Sequence, residues 1–252
     1  MIRIEKEKIY GFEAAIRGMR NSFNSWDKSD SLFFDQWSGE AHDICGNMSP
    51  YDSDRVSDDY SIGMNDIELM RRLACAGSSH AKFRRMIMVS IDITAPLYFW
   101  KEFDTYKVGT VANSCSTMHK IADKEFGLDD FSYEHLISSE EAEKKGKNYM
   151  AVGSCSSFIY PLDVLQGTIA ALNACRTIFL VLNGDEAKEA WWQMIQLLPS
   201  SYNQKRTVLL NYEVLSHIYS DRKNHKLDEW REFSTWIEKL PFAEGIIFPM
   251  ED

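Results

Sequence analysis

Apolar and polar positions alternate at the start of the chain, where Ile2 and Ile4 flank charged neighbours, and the pattern predicts a short strand. From Gly11 the period changes. Phe12, Ala15, Ile16, Met19 and Phe23 recur at spacings of three and four, which predicts an amphipathic helix. A second helix is expected with Asn65 as its N-cap, Ile67, Met70, Leu73 and Ala74 on one face, and Gly77 at its end. Between Met86 and Ile93 the residues Ile87, Val89, Ile91 and Ile93 alternate strictly, as in a strand with one buried face, and Pro96 closes it. Leu97 to Tyr106 reads as an aromatic helix, whereas Val108 to Asn113 is too short to assign.

The second half reads as helical. Leu165 to Leu182 is apolar on most sides, the pattern of a buried helix. Asp185 caps the next helix, Glu186 to Leu198, and Pro199 stops it. Another helix is expected over Asn203 to Arg222, with Val208, Leu209, Tyr212, Leu215 and Ile218 near one face. The last, Leu227 to Lys239, carries Trp230, Phe233, Trp236 and Ile237, and Pro241 ends it. Two stretches lack such order. Asp27 to Tyr60 holds nine acids against two bases and reads as a surface excursion partly ordered by Phe33, Phe34 and Trp37; Asp129 to Asn148 is polar and charged. Without internal repeats, the 252 residues are expected to form one α+β domain with an acidic surface insertion at about 27–60.

Composition narrows the function. With 28 Lys plus Arg against 38 Asp plus Glu, the net charge of -10 argues against a general nucleic-acid binder, so an anionic ligand needs a local basic pocket. Cys45, Cys75, Cys115, Cys155 and Cys175 are odd in number and widely spaced, so neither a disulfide framework nor a metal knuckle is expected, and a reducing cytoplasm is the simplest setting. The charged N-terminus is unlike a signal peptide, and with no apolar run of about 18 residues, no membrane span is expected. No Gly-x-Gly-x-x-Gly, Gly-Lys-Ser/Thr, His-Glu-x-x-His or Gly-x-Ser-x-Gly motif occurs. Cys115, Ser116 and His119 form a nucleophile-and-base arrangement if their segment is helical, set against a packed cysteine and a capping serine.

The order of several segments resembles the flavin-dependent thymidylate synthases. Gly77-Ser-Ser-His80 precedes a strand, Ala95-Pro96 and an aromatic helix, and Thr110-Val-Ala-Asn113-Ser-Cys-Ser116 follows. Ala15-Ile-Arg17 resembles the family's first helix, Leu198-Pro199 with Tyr202 its "Leu-Pro, then Tyr" passage, and Leu210-Asn211-Tyr212 through Arg222 the helix whose arginine reaches the nucleotide. The departures fall where the family carries Arg-His-Arg. Aligned on His80 and Pro96, that triplet lies on Thr105-Tyr106-Lys107 and the family serine on Cys115; aligned on Asn113 and Ser116, it lies on Tyr106-Lys107-Val108. Lysine is a hydrated point charge where arginine offers a planar fork.

The resemblance implies a flavin-dependent thymidylate synthase-like fold, with helices packed on a small antiparallel sheet. It implies methylation of dUMP or a related pyrimidine nucleotide, with methylenetetrahydrofolate as carbon donor, FAD as cofactor and NADPH as reductant, in a homotetramer with active sites at its interfaces. Carried over, Ser116 or Cys115 sits against the pyrimidine, while Lys107, Asn113 and Arg222 bind the nucleotide, with the acid Asp228 nearby. His80, Lys101 and Tyr106 support the flavin. The alternative is an inactive homologue that binds a nucleotide without flavin.

Overall fold

The computed structural model describes residues 2–35, 40–49, 60–146, 151–152, 158–248 and 250. Trp37 and Cys155, together with residues 147–148, lie outside the described residues. The chain forms two compact units. The first comprises Met1–Arg3, Ile93–Asp104 and Asn113–Arg206, and the second Ile4–Asp92, Thr105–Ala112 and Thr207–Asp252.

Strand β1 (Arg3–Tyr10) runs further than the alternation of Ile2 and Ile4 suggests. Gly11 then turns the chain with φ of 90°, where a Cβ would lie 2.1 Å from the Met86 carbonyl oxygen, so only glycine fits. Helix α1 (Phe12–Asn21) buries Phe12, Ala15, Ile16 and Met19 as the spacing predicts. Phe23 lies past its end and is half exposed. The described part of the 27–60 stretch is more regular than expected: β2 (Leu32–Asp35), β3 (Glu40–His42), β4 (Met48–Ser49) and β5 (Tyr60–Ser61) form an antiparallel sheet in the order β4-β3-β2-β5. These strands have two to four residues, too few for a period to show in the sequence.

Helix α2 (Met64–Cys75) begins at Gly63 rather than at Asn65. Its cap comes from far away in sequence, for Asp30 accepts from the Asn65 amide at 3.0 Å and the Asp66 amide at 3.3 Å. Asp66 is itself fully buried and accepts from Arg20 Nε at 2.6 Å, Ser29 Oγ at 2.6 Å and Ser31 Oγ at 2.7 Å, an ion pair that ties α1 to α2. Strand β6 (Met88–Pro96) follows the predicted alternation, with Val89, Ile91, Ile93 and Ala95 all at 0% exposure. Helix α3 (Leu97–Phe103) buries Phe99, Trp100 and Phe103. The unassigned stretch becomes β7 (Val111–Ser114), followed by the single turn α4 (Thr117–Lys120). The polar segment after it holds α5 (Ser139–Lys145), with a capping box at Ser138 and Gly146 in the left-handed region at its end. Strands β8 (Ala151–Val152) and β9 (Phe158–Ile159) pair antiparallel.

Two expectations change in the second half. Helix α6 (Pro161–Val181) exists but is not buried: only Leu165 and Leu172 are, while Val164, Ile178, Leu180 and Val181 are 47–72% exposed. Apolar on most sides, it carries no clear period from which its covered side is readable. It packs on α7 (Gly184–Leu197) and is held to its own unit by polar side chains. Asn173 donates to the Phe126 carbonyl at 2.9 Å and accepts from the Phe126 amide at 2.8 Å, and Arg176 Nε donates to the Ala122 carbonyl at 2.9 Å. By length and composition alone α6, with a mean hydropathy of 1.5 in its most apolar window, also passes as a membrane-spanning helix.

The second change is at Asn203. A strand, β10 (Asn203–Asn211), stands there, and the helix α8 (Tyr212–Arg222) starts nine residues later, capped by Asn211, whose side chain accepts from the Val214 amide. Val208 and Leu210 are buried while Thr207 and Leu209 are exposed, a period of two. The order of the four-stranded sheet is β1-β6-β10-β7. Helix α9 (Asp228–Glu238) and the kinked turn α10 (Ala243–Ile246), in which Glu244 and Gly245 have non-helical backbone angles, complete the second unit, with Trp230, Phe233 and Ile237 fully buried as predicted.

Candidate functional site

In the first unit the chain leaving β7 is fixed by a line of polar contacts. The Cys115 amide donates to the Lys205 carbonyl at 2.9 Å, and Gln204 Nε2 donates to the Cys115 carbonyl at 3.0 Å and to Thr117 Oγ1 at 2.9 Å. Gln204 is oriented in turn by Arg206, whose Nε donates to Gln204 Oε1 at 3.0 Å. The Arg206 guanidinium lies 4.2 Å from the Trp100 ring centroid and donates to Asp104 at 2.7 Å. Ser116 caps α4, its Oγ accepting from the His119 amide at 3.3 Å. Cys115 therefore precedes the helix, and the helical premise for a Cys115–His119 pairing is not met. The capping role keeps the Ser116 hydroxyl proton free to donate elsewhere.

Cys115 and Ser116 open on a cavity of about 450 Å³, whose wall includes Arg3, Lys120, Lys124 and Lys205 together with Asp123, Asp129 and Asp130. Four bases against three acids leave a positive balance in a chain of net charge -10. Lys120 pairs with Asp123 at 3.0 Å, and Lys124 pairs with Asp130. Tyr202 also lines it; burial first, then the charges of Asp130 and Cys115, push its phenol up, so it remains an O–H donor at neutral pH. These basic residues were not singled out from the sequence, since they are spread over Arg3 to Lys205 and share no local motif.

The second unit gathers Tyr106 and Arg222. Arg222 Nε donates to Tyr106 Oη at 3.0 Å, and that hydroxyl donates to Asp221 Oδ2 at 3.2 Å. The guanidinium lies 4.9 Å from the centroid of the buried Trp230 ring and 5.8 Å from that of Tyr106, with its Nη1 3.1 Å from His225 Nε2. Burial pushes the Tyr106 phenol up, and Arg222 partly opposes it. Asp228 forms an ion pair with Arg231, so its charge is balanced within α9.

The remaining candidates are spread between the units. Lys101, in the last turn of α3, and Asn113, in β7, are exposed in the first unit. Lys107 is exposed in the second, its carbonyl accepting from the Thr110 amide. His80 lines a different cavity of the second unit, beside Lys82, Phe83 and Phe23. Thus Cys115 and Ser116 share one cavity, and Tyr106 and Arg222 touch each other. Among the described residues no group of three or more His, Cys, Asp or Glu side chains is placed to hold a metal ion, and Cys45, Cys75, Cys115 and Cys175 are free thiols.

No family model and no curated protein matches the sequence. Solved structures do match it in three dimensions. The flavin-dependent thymidylate synthase ThyX from Helicobacter pylori, crystallised with FAD and dUMP, superposes with a TM-score of 0.57 at 15% identity, covering 98% of this chain and 97% of that one. The UMP/dUMP methylase PolB from Streptomyces cacaoi, bound with 5-Br UMP, is similar with a TM-score of 0.51 at 14% identity, over 96% of this chain and 92% of that one. End to end, and despite the low identity, the chain has the mixed helix-and-sheet fold of flavin-dependent thymidylate synthase.

Proposed function

We propose that the protein is a flavin-dependent methylase of a pyrimidine nucleotide, dUMP or a close relative, using methylenetetrahydrofolate as carbon donor and FAD with NADPH for the reducing equivalents. The observation that carries this reading is the cavity of Cys115 and Ser116, where four basic side chains outnumber three acids and Arg3 and Lys205 stand outside the Lys120–Asp123 and Lys124–Asp130 pairs, in an otherwise acidic chain that has this fold. Ser116, with its oxygen turned to the His119 amide, directs its proton toward a pyrimidine carbonyl, and Cys115 lies beside it. Lys107 neutralises phosphate from an exposed, flexible stem, and Asn113 offers an amide edge to the nucleotide. Arg222, its plane fixed by Tyr106 and Trp230, clamps the nucleotide, and Asp228 does not repel it because Arg231 balances the carboxylate.

For the flavin, the donor types suit the group, with Lys101 in the first unit and His80 and Tyr106 in the second. Lys101 supplies a cation for a diphosphate, His80 an imidazole, and Tyr106 a half-buried ring whose orientation Arg222 and Asp221 fix. When bound, FAD in its reduced form supplies the hydride that turns the transferred one-carbon unit into a methyl group. The reading includes a cytoplasmic homotetramer. The exposed apolar side of α6 supports the assembly, since a monomer rarely leaves such a surface in water. Titration of purified protein with FAD, followed in the visible spectrum, tests the proposal: bound flavin with a perturbed band is expected, and a spectrum equal to that of free FAD overturns the flavin reading.

One observation favours a second reading. Either register of the family triplet leaves Lys107 as its sole cation, without the rigid fork that grips a dinucleotide phosphate. That reading is a nucleotide-binding protein without flavin. A rise in the thermal midpoint with dUMP, in protein that FAD leaves unchanged, selects it.

A further inference from the structure

Outside the residues discussed above, the second unit contains a cavity of about 370 Å³. Its walls come from the end of α2 (Ala74, Cys75), the 3-10 helix Ala81–Arg85 (Arg84), one face of α8 (Ser216, Tyr219, Ser220, Lys223) and the segment around α10 (Gly245, Ile247, Phe248). Two of these residues are cationic, and none of the described carboxylates lines the cavity. Arg84 is nearly buried, yet its Nε has no hydrogen-bond partner among the described residues. Its nearest acid, Glu213, lies 4.0 Å from Nη1 and is shared with Arg85, which approaches Glu213 to 3.6 Å. One carboxylate thus serves two guanidinium groups. A buried, under-partnered guanidinium is costly, and burial weakens its hold on the proton while Glu213 restores it. The dipole of α2, which ends here, opposes an anion, but a fractional dipole charge is outweighed by two full charges.

Aromatic and apolar residues supply another part of the wall, and the Lys223 ammonium lies 5.6 Å from the Tyr219 ring centroid. Tyr219 and Phe248 stack with centroids 4.6 Å apart and planes inclined by 23°, and Ile247 lies beside them. Ser216 Oγ donates to the Ile247 carbonyl at 2.6 Å, which fixes this segment against α8. A cavity lined by two cations and an aromatic pair selects a ligand that carries an anionic group on an apolar body.

We propose that this cavity is a binding site for a small anion with an apolar body: a carboxylate or phosphate group held by Arg84 and Lys223, and an apolar, preferably ring-bearing, part resting on Ile247 and the Tyr219–Phe248 stack. The site is independent of the nucleotide reading, because none of its residues belongs to that set.

Cys75 provides the readout, since its thiol is exposed on the cavity wall. Alkylation of Cys75 by iodoacetamide, followed by mass spectrometry of its peptide, is measured with and without benzoate, phenyl phosphate and inorganic phosphate. Benzoate and phenyl phosphate are expected to slow Cys75 alkylation several-fold while leaving the Cys45 peptide unchanged, and the preferred one of the two identifies the head group. Lys223→Gln, an exposed substitution, is expected to weaken the protection, and Arg84→Gln to abolish it; the latter leaves Arg85 to serve Glu213, so the fold is retained. Absence of protection by both ring-bearing anions overturns the proposal, as does protection that survives Lys223→Gln undiminished. Equal protection by inorganic phosphate overturns the role assigned to the aromatic wall.

Discussion

Replacing Arg222 by lysine separates the part of its role that needs only charge from the part that needs a planar fork. In the native protein the guanidinium makes a hydrogen bond to Tyr106 Oη at 3.0 Å, lies against His225 Nε2 at 3.1 Å and packs over the Trp230 ring at 4.9 Å. Lysine keeps the charge but cannot do all three at once. Loss of one hydrogen bond costs about 0.5–1.5 kcal/mol, and loss of a half-buried cation–π contact roughly 0.5–2 kcal/mol. The expected destabilisation is therefore about 1–3 kcal/mol. At about 2–4 °C per kcal/mol for a chain of this size, the thermal midpoint falls by at least roughly 2 °C. If Arg222 also clamps the nucleotide, lysine keeps the charge but loses one bond of the bidentate fork, about 1.5–3 kcal/mol, which weakens dUMP binding about 10- to 100-fold. Thermal melts with and without a dUMP series give both quantities from one experiment, because the ligand-induced rise follows the ratio of ligand concentration to Kd. A variant with a lowered midpoint and an unchanged dUMP response would leave Arg222 as a structural residue and remove it from the site. An unchanged midpoint as well would refute the packing argument itself.

Other consequences follow from the same physical reasoning. Asp66→Ala leaves Arg20 buried without its counter-charge and is expected to cost about 3–5 kcal/mol; a shift in the urea midpoint equivalent to less than about 1 kcal/mol would contradict the assignment. Burial raises the pKa of Tyr106, Tyr202 and Tyr212, so above pH about 10 the unfolded chain releases these protons before the folded one does. Stability should therefore fall as pH rises through that range, with a late phase in the tyrosinate absorbance that urea abolishes; simultaneous titration of all eleven tyrosines near their ordinary value would refute it. Ile178→Glu with Val181→Glu, both on the exposed side of α6, is expected to reduce the mass measured by light scattering to that of a 29.1 kDa monomer, and an unchanged assembly would place the interface elsewhere.

The sequence was most legible where one periodicity had no competitor. The strict alternation from Ile87 to Ile93 became β6, and the spacing from Trp230 to Ile237 became α9, because each has one buried side and a polar remainder. Around Val208 the apolar residues fit both periods, since Val208, Leu209 and Tyr212 suit a helix and Val208 with Leu210 suits a strand; only the sheet order decides it. Helix α6 hid its covered side because its sequence is apolar on most sides. The site was legible in part. Ser116 was found through its neighbours in the chain, whereas Arg3, Lys120, Lys124 and Lys205 come together only through folding and left no local mark. The cap that Asp30 gives α2 escaped for the same reason, being supplied across some 35 residues.

The most direct test of the proposed methylase is a single reaction analysed for its nucleotide product. Purified protein is mixed with dUMP, methylenetetrahydrofolate, FAD and NADPH without oxygen, and the nucleotides are resolved by mass. The account predicts a 5-methyl product that requires FAD and is lost on replacing both Cys115 and Ser116 by alanine. Absence of product with dUMP and with UMP, from protein that binds dUMP, would contradict the methylase and leave the nucleotide-binding reading in its place.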